Sequence, residues 1–490
     1  MVFTEPEFLF FFLPVLMGLS FVLNLPGRLF KRTFPAQTAQ NYVLLAFSLL
    51  FYAYGETFYI LVMLFSIVAN YVFGLAIERY RERAGARYAI ACSIVFNLGL
   101  LSVFKYGNFL IDNINVVLNS FGAPLFQNDP IHLPLGISFF TFQAMSYTLD
   151  VYRKDAVAQR SLASIALYIS LFPQLIAGPI VRYHDVRQQL SDRYVSSDLF
   201  ASGVRRFLIG LGKKVIIANA MALPADALFD SPANELTFHS AWLATACYSL
   251  QIYFDFSGYS DMAIGLGRMF GFRFLENFNY PYISTSVTEF WRRWHISLST
   301  WFRDYVYIPL GGNRHGPRTT YRNLVIVFSL CGLWHGASWT FILWGMFHGF
   351  FLILERVWLL DRLASTWRPF RHCYLLLVIS LGWCIFRAGS LGQLAGFVTA
   401  MAGLNGWTSD ASITHFQENT FLPTFVAGLI LSSPVLRYVR AGKEWACSRP
   451  GLLSAVIWNS VEILGVLFIG LYSVMLIAAD TYNPFIYFRF

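Results

Sequence analysis

Two histidines, in a chain otherwise rich in apolar residues, are the side chains best suited to chemistry. His295 follows the aromatic and basic run Phe290-Trp-Arg-Arg-Trp294, and His335 closes the sequence Gly332-Leu-Trp-His335. Imidazole changes its protonation near neutral pH and is the side chain most often used for proton transfer in catalysis. An ionisable group within a membrane is costly unless it lines a polar cavity. Both histidines are therefore candidate catalytic residues.

The neighbours of His335 favour a cavity. Gly332 and Gly336 flank it and would allow backbone or ligand to approach closely. Trp334 and Trp339 could wall the space beside the imidazole. The alternative is a structural histidine, bonded to a backbone carbonyl at the membrane interface.

His295 lies in a more polar stretch, where a solvated histidine is ordinary. If the stretch is one helix, Ser299 shares the face of His295 at i, i+4, with Trp291 one turn earlier, and Ser299 is then a candidate cavity-lining residue. The surrounding segment 259–322 combines tryptophan with arginine. That composition fits an amphipathic helix at the lipid headgroups, and it also fits the roof of a buried site that contacts an anionic cofactor.

Asp255 and Asp261 belong to the polar sequence Tyr253-Phe-Asp-Phe-Ser-Gly-Tyr-Ser-Asp261, at the end of an apolar run. A calcium loop would need more oxygen ligands at fixed spacing, so we predict no metal site. Helix capping by Ser260 or Asp261 is the favoured interpretation. Asp255 could instead face an internal cavity.

The C-terminal sequence Pro484-Phe-Ile-Tyr-Phe-Arg-Phe490 directly follows an apolar run. An aromatic belt that anchors the last helix is one interpretation of this composition. Tyr487 is also a hydroxyl on a short apolar segment that could fold back into a cavity. Its phenol is therefore a candidate nucleophile that would accept an acyl group as an ester.

The composition indicates an integral membrane protein. Apolar residues make up 56% of the chain, charged residues 13%, and the mean hydropathy is +0.53. Soluble domains carry about a quarter of charged residues. The apolar runs do not alternate, which favours helices over a barrel. The net charge of +9 lies in loops between these runs, so positive-inside topology explains it better than nucleic-acid binding.

The apolar runs predict an all-α polytopic protein with about twelve transmembrane helices. The expected spans lie near 7–25, 41–54, 57–77, 88–104, 131–149, 204–223, 240–258, 323–336, 338–355, 372–386, 421–436 and 454–478. The first is expected to be a span and not a cleaved signal, because no basic residue precedes it. The run 161–181 contains Pro173 and Pro179 and is expected to be re-entrant or interfacial.

Loop charges predict the orientation. Segments 1–6, 107–130, 224–239 and 388–420 carry no Arg or Lys. With twelve spans these segments fall on the outer side, together with both termini, and 259–322 becomes the largest cytoplasmic segment. We expect one membrane domain over 1–490, closed by a last span and C-terminal motif within 454–490. The six cysteines show no C-x-x-C spacing and are expected to be free thiols.

Several motifs resemble the membrane-bound O-acyltransferase family, and they cover most of the chain from the first span to about Glu355. The matching sequences are Phe104-Lys-Tyr-Gly-Asn-Phe109, Pro134-Leu-Gly-Ile-Ser-Phe-Phe140, Leu175-Ile-Ala-Gly-Pro179, Tyr253–Gly265, Glu276-Asn-Phe278, Pro281-Tyr-Ile-Ser284, Thr288–Trp301, Leu310-Gly-Gly-Asn-Arg314 and Gly332–Gly336. The resemblance implies a ring of helices around a membrane-crossing cavity that an acyl donor enters from the cytoplasm. It implies that His335 is the catalytic histidine and His295 the second active-site histidine.

The family's bacterial members imply a more specific function. The expected reaction is transfer of an acetyl group from acetyl-CoA, across the bacterial inner membrane, to a periplasmic partner that esterifies an alginate-like or cellulose-like exopolysaccharide. The C-terminal motif Phe485–Phe490 is similar to the closing motif of the small peptide that serves the teichoic-acid D-alanylation homologue, which implies that Tyr487 carries the acyl group on the outer face. The alternatives are a polysaccharide or lipid-intermediate transporter, in which the histidines relay protons, and a lipid or protein O-acyltransferase.

Overall fold

The fold was obtained as a computed structural model, which describes residues 1–30, 36–127, 129–408, 420–447, 452–479 and 486. Over these residues the regular elements are helices. The α-helices are Leu13–Phe30, Ala36–Gly55, Ile60–Arg79, Ala84–Leu101, Gly107–Ser120, Ile137–Arg153, Leu162–Ser170, Phe172–Leu175, Tyr183–Ser191, Ser197–Gly212, Asn219–Phe229, Phe238–Met269, Val287–Arg293, Ile296–Phe302, Pro317–His335, Trp339–Leu354, Leu360–Ser365, Arg368–Arg387, Leu391–Met401, Phe421–Leu431, Val435–Cys447 and Leu452–Ala478. Short π-helical stretches are Phe8–Phe12, Ser102–Tyr106, Lys213–Ala218, Arg303–Tyr307 and Glu355–Leu359, and Pro281–Ile283 is a 3₁₀ turn.

The helices are those of a multi-pass membrane protein, as the apolar runs predict. Within the described ranges, six helices are long and apolar enough to span a membrane, or seven if the bent pair near 421–446 counts as one span. Several other predicted spans are helical but shorter or more polar. Phe238–Met269, for example, buries Gln251, Asp255 and Asp261. The number twelve and the ring arrangement stay predictions.

The run 161–181 is broken in the way its prolines predict. Leu162–Ser170 ends one residue before a single helical turn, Phe172–Leu175, which carries Pro173 near its start. A proline fits there because the first helical turn has no intrahelical partner for its N–H groups. Most of this run is fully buried, including Gln174.

The chain divides into two compact units, 1–204 with 263–275, and 205–262 with 276–490. In the first unit, Phe8, Phe51 and Phe172 belong to a cluster of aromatic rings with centroids 5.6–6.1 Å apart. The same unit also buries a polar contact, in which the Asn97 side-chain amide donates to Asn70 Oδ1 at 2.7 Å. Buried amides paired in this way hold two helices together without leaving a polar group unsatisfied.

In the second unit, two consecutive helices cross at their glycines. A methyl group on Gly332 would overlap the carbonyl oxygen of Phe341, and one on Gly345 would overlap the carbonyl oxygen of Phe328. The backbones of Pro317–His335 and Trp339–Leu354 therefore touch. Small residues allow such close approach between apolar helices. This crossing places His335, at the end of the first helix, against the second.

Gly345→Ala should destabilise this crossing, because the added Cβ meets a backbone oxygen that cannot rotate away. Overpacking of this kind costs about 1–3 kcal/mol. The apparent melting temperature of detergent-solubilised protein should therefore fall. Gly465→Ala on Leu452–Ala478 is the matched control, since a Cβ there meets nothing within 4 Å. Equal melting temperatures for both variants would contradict the crossing.

Candidate active site

His335 is buried at the end of its helix. It is the last residue of Pro317–His335, and the next helix begins after Ser338, whose hydroxyl accepts the N–H of Phe341 at 3.4 Å. This cap allows a very short turn between the helices. The His335 ring lies 5.0 Å from Trp344 and 5.2 Å from Phe386, measured between centroids. Only 7% of the residue is exposed.

His295 lies in a sharp turn between two short helices. It separates Val287–Arg293 from Ile296–Phe302, and its φ of 44° is in the left-handed region. Such a conformation is uncommon for residues other than glycine, although histidine, like asparagine and aspartate, adopts it more often than most side chains do. The stretch is therefore not one helix, so the condition under which Ser299 and His295 would share a helix face is not met. Ser299 is half-buried and its backbone N–H donates to the carbonyl of His295 at 3.1 Å.

Asn277 holds the His295 turn in place. Its Oδ1 accepts the backbone N–H of Ser297 at 3.1 Å and the Ser297 hydroxyl at 2.9 Å, and its Nδ2 donates to Ser260 at 3.1 Å. The backbone donor identifies this Asn277 atom as the oxygen. His295 Nδ1 lies 3.2 Å from the same oxygen. Nδ1 must therefore carry the proton, which leaves the lone pair on Nε2.

His295 Nε2 is fully buried and has no hydrogen-bond partner among the described residues. Burial disfavours the imidazolium and lowers the pKa of His295 from its usual 6.5 to about 3. The ring is thus neutral at physiological pH and offers a basic nitrogen. A buried acceptor without a partner is costly in a folded protein, which makes Nε2 a candidate contact for a substrate group.

The two imidazoles lie against the same indole. The Trp334 ring is 6.1 Å from His295 and 4.9 Å from His335, between centroids. Trp334 was predicted to line a cavity, and it is the side chain that lies against both histidines. Trp339, predicted as a second wall, is 56% exposed. That second prediction is wrong, because Trp339 begins the next helix after the short turn.

A small pocket opens beside His335. It is lined by Ile252, Phe256, Trp294, His335, Trp344, Trp383, Phe386 and Ile486. Its free volume is about 10 Å³. This is roughly the space needed for one water molecule.

Asp255 is buried near this pocket, in the interior position that the sequence offered as an alternative. It forms an ion pair with Lys214 at 2.9 Å, and its other oxygen accepts the backbone N–H of Ile486 at 2.9 Å. The favoured capping interpretation is wrong, because the helix continues to Met269. Asp261 is an interior ion-pair partner of Lys213, at 2.7 Å.

Tyr487 lies outside the described residues. Its neighbour Ile486 is described and is 2% exposed. The backbone contact with Asp255 thus fixes the chain one residue away from Tyr487.

A second, larger cavity of about 430 Å³ has charged residues in a lining that is otherwise largely apolar. Its lining includes Tyr253, Ser257, Phe278, Asn279, Tyr280 and Ile296, together with Arg206, Lys213, Asp261, Glu276 and Arg437. The Phe278 ring packs 4.9 Å from Phe256 and 5.0 Å from Trp294, two residues that line the pocket beside His335. An aromatic layer therefore lies between a charged cavity and an apolar pocket.

Sequence reasoning missed three contributors to the site. Asn277 and Ser297 bond to each other, although twenty residues separate them. Asn277 did occur in the quoted Glu276-Asn-Phe278 motif, which was the available signal. Lys214 lies within the predicted apolar span 204–223, where a charged residue indicates an interior partner.

These features belong to a known class of membrane enzyme. The sequence profile of the MBOAT, membrane-bound O-acyltransferase family, matches residues 129–391, which include both histidines. The chain belongs to this family, and it is an O-acyltransferase.

Curated relatives are similar over most or all of the chain. It is 41% identical to the probable alginate O-acetylase AlgI of Azotobacter vinelandii over 100% of both proteins. It is 38% identical to the peptidoglycan O-acetyltransferase of Helicobacter pylori over 85% of this chain and 82% of the relative. The teichoic acid D-alanyltransferase of Streptococcus thermophilus is 26% identical over 70% of this chain and 82% of the relative.

Because His295 is buried as the neutral ring, the free energy of unfolding should fall as the pH is lowered. Between pH 6.5 and about 3, His295 is protonated in the unfolded chain but stays neutral in the folded protein. Lowering the pH over this range therefore favours unfolding. From about pH 7.5 to about pH 5 this amounts to roughly 2 kcal/mol. His295→Gln should lose this part of the decline, as measured by melting temperatures at the two pH values.

His315→Gln provides the control, because His315 is exposed. It should follow the wild-type decline. An identical decline in His295→Gln would mean that His295 is not buried as the neutral ring.

Proposed function

We propose that this protein is an O-acetyltransferase of the bacterial inner membrane that passes acetyl groups from cytoplasmic acetyl-CoA outward for O-acetylation of an exopolysaccharide. The observation that carries the proposal is the pair of buried imidazoles against Trp334. Full-length similarity to a probable alginate O-acetylase supports an alginate-like polymer. A periplasmic transferase would complete the reaction, and both termini would lie on the periplasmic side.

The larger cavity is the proposed entry for the donor. Arg206, Lys213 and Arg437 line it, and the carboxylates of Asp261 and Glu276 offset part of their charge. Guanidinium groups bind phosphate oxygens through paired, charge-assisted hydrogen bonds. Arg437 bonds to the neutral amide oxygen of Asn279 at 2.5 Å, so a phosphate could take over that donor without breaking an ion pair.

His335 is the proposed general base. It would take the proton from the accepting hydroxyl while that oxygen attacks the thioester carbonyl. The carbon–sulfur bond then breaks, and the proton returns to the leaving thiolate to give free CoA. Imidazole is the side chain most often used for such proton transfers. The close packing of His335 against Trp344 and Phe386 supports a fixed ring orientation.

His295 is proposed to orient the reactants. Because Nδ1–H donates to Asn277, Nε2 can accept a hydrogen bond but cannot donate one. In this tautomer Nε2 can accept a hydrogen bond from a hydroxyl or thiol of a reactant. It has no proton to donate to the acyl carbonyl oxygen, so it would not polarise that carbonyl.

Tyr487 is the proposed acyl carrier on the outer side. Its phenol would receive the acetyl group from the thioester as an ester and pass it to the periplasmic partner. The buried position of Ile486, fixed to Asp255 beside the His335 pocket, supports this role.

His335→Ala should reduce polymer acetylation by about 10²–10⁴-fold at matched protein levels, since a positioned base contributes roughly that factor. His295→Ala should also reduce it. Both are measured as O-acetyl content of the exported polymer, with melting temperatures to show that the variants fold. His372→Ala, a half-exposed histidine outside the site, is the control. Wild-type acetylation in both site variants would refute the histidine assignment.

Tyr487→Phe should abolish acetyl transfer to the polymer, because phenylalanine lacks the accepting oxygen. Wild-type enzyme supplied with acetyl-CoA should yield a C-terminal peptide heavier by one acetyl group in mass spectrometry. Tyr438→Phe, at an exposed tyrosine, is the control. An unmodified peptide together with a fully active Tyr487→Phe enzyme would leave only the aromatic-belt role.

The polymer itself can be identified by deletion of the gene. The exopolysaccharide that loses O-acetyl groups in the deletion strain, and regains them on complementation, is the acceptor. Loss from peptidoglycan alone would transfer the proposal to that polymer.

A further inference from the structure

The pocket beside His335 is enclosed by aromatic rings that leave little room. Trp344, Trp383 and Phe256 are each at most 2% exposed, and Phe386 is 4% exposed. These residues come from three helices, Phe238–Met269, Trp339–Leu354 and Arg368–Arg387. Its free volume of about 10 Å³ is close to the limit for one water molecule, so the pocket has room for only a very small group.

The rings cannot easily move apart. Trp344 and Trp383 pack against Phe386 with centroids 5.0 Å and 5.8 Å apart. The indole N–H of Trp383 donates to the hydroxyl of Tyr282 at 3.2 Å, which itself donates to the carbonyl of Ser249 at 2.6 Å. Widening the pocket would break these contacts, and packed interiors resist even one added methylene.

Two aliphatic side chains complete the wall. Ile252 is 4% exposed and lies one turn before Phe256 on the same helix. Ile486 comes from the C-terminal segment, where its N–H is held by Asp255 and Asp255 is in turn paired with Lys214. The buried ion pair thus determines where the Ile486 side chain closes the pocket.

We propose that this pocket selects the acyl group by its length, and that Ile252 and Ile486 are the residues that exclude acyl chains longer than acetyl. The proposal rests on the proposed acyl-transfer function at His335. An acetyl group ends in a single methyl, whereas the extra methylene of propionyl needs space that the free volume of about 10 Å³ does not provide. One methylene in an apolar pocket typically changes kcat/KM by about 10–200-fold.

The test compares acetyl-, propionyl- and butyryl-CoA as donors to the full-length enzyme in membrane vesicles. Thiol release and acyl transfer to the polymer or the C-terminal peptide are measured for each donor. The wild type should favour acetyl over propionyl by about 10-fold or more. Ile486→Ala and Ile252→Ala should each raise the propionyl-to-acetyl ratio of kcat/KM by about 10-fold.

Ile463→Ala, on the exposed face of Leu452–Ala478, is the matched control and should keep the wild-type ratio. Ile252→Ala opens the pocket without touching the C-terminal segment, so it separates pocket size from any effect on Tyr487. Where the alanine variants lose acetyl transfer, Ile486→Val and Ile252→Val remove a single methyl group and should still raise the ratio.

Acetyl transfer with an unchanged ratio in the pocket variants would overturn the assignment. A wild type that uses propionyl as well as acetyl would do the same. If wild-type vesicles release no thiol from any of the three donors, the proposed function itself fails and the assignment fails with it.

Discussion

The contact on which the site depends is the close crossing of the helices Pro317–His335 and Trp339–Leu354. The crossing brings backbone against backbone at Gly332 and Gly345, so neither position has room for a side chain. Because the crossing is fixed by atoms that cannot rotate, the imidazole of His335 and the indole of Trp344 meet at a set distance. The rest of the aromatic enclosure is built on that pair.

The second histidine is positioned by polar contacts. The side-chain oxygen of Asn277 accepts hydrogen bonds from the backbone N–H and the hydroxyl of Ser297, and it lies beside Nδ1 of His295. In a buried environment each of these bonds lacks competition from water, so one amide can determine the tautomer of the ring. The two imidazoles therefore differ in kind. His295 is pinned through hydrogen bonds to a loop, and His335 is packed among rings.

The C-terminal segment is held beside the candidate active site by a buried ion pair. Asp255 is compensated by Lys214 and uses its other oxygen to hold Ile486 against the His335 pocket. Removing either charged partner would leave an unpaired buried charge, which is strongly destabilising. A cavity with basic residues, an aromatic layer and the small pocket beside His335 follow one another from Arg206 to Ile486. This order is the one expected of a path along which a small acyl group travels.

The sequence by itself determined the class of the fold and its most informative residues. Apolar runs specify helices because a membrane leaves backbone groups no other partner, and a histidine between glycines at the end of such a run is conspicuous. Only the tertiary structure decided which residues surround the two histidines. The contact of Asn277 with His295 joins residues 18 positions apart, and the contact of Ile486 with Asp255 joins residues 231 positions apart. Local pattern carries no information on such pairs, because they form only when distant helices pack.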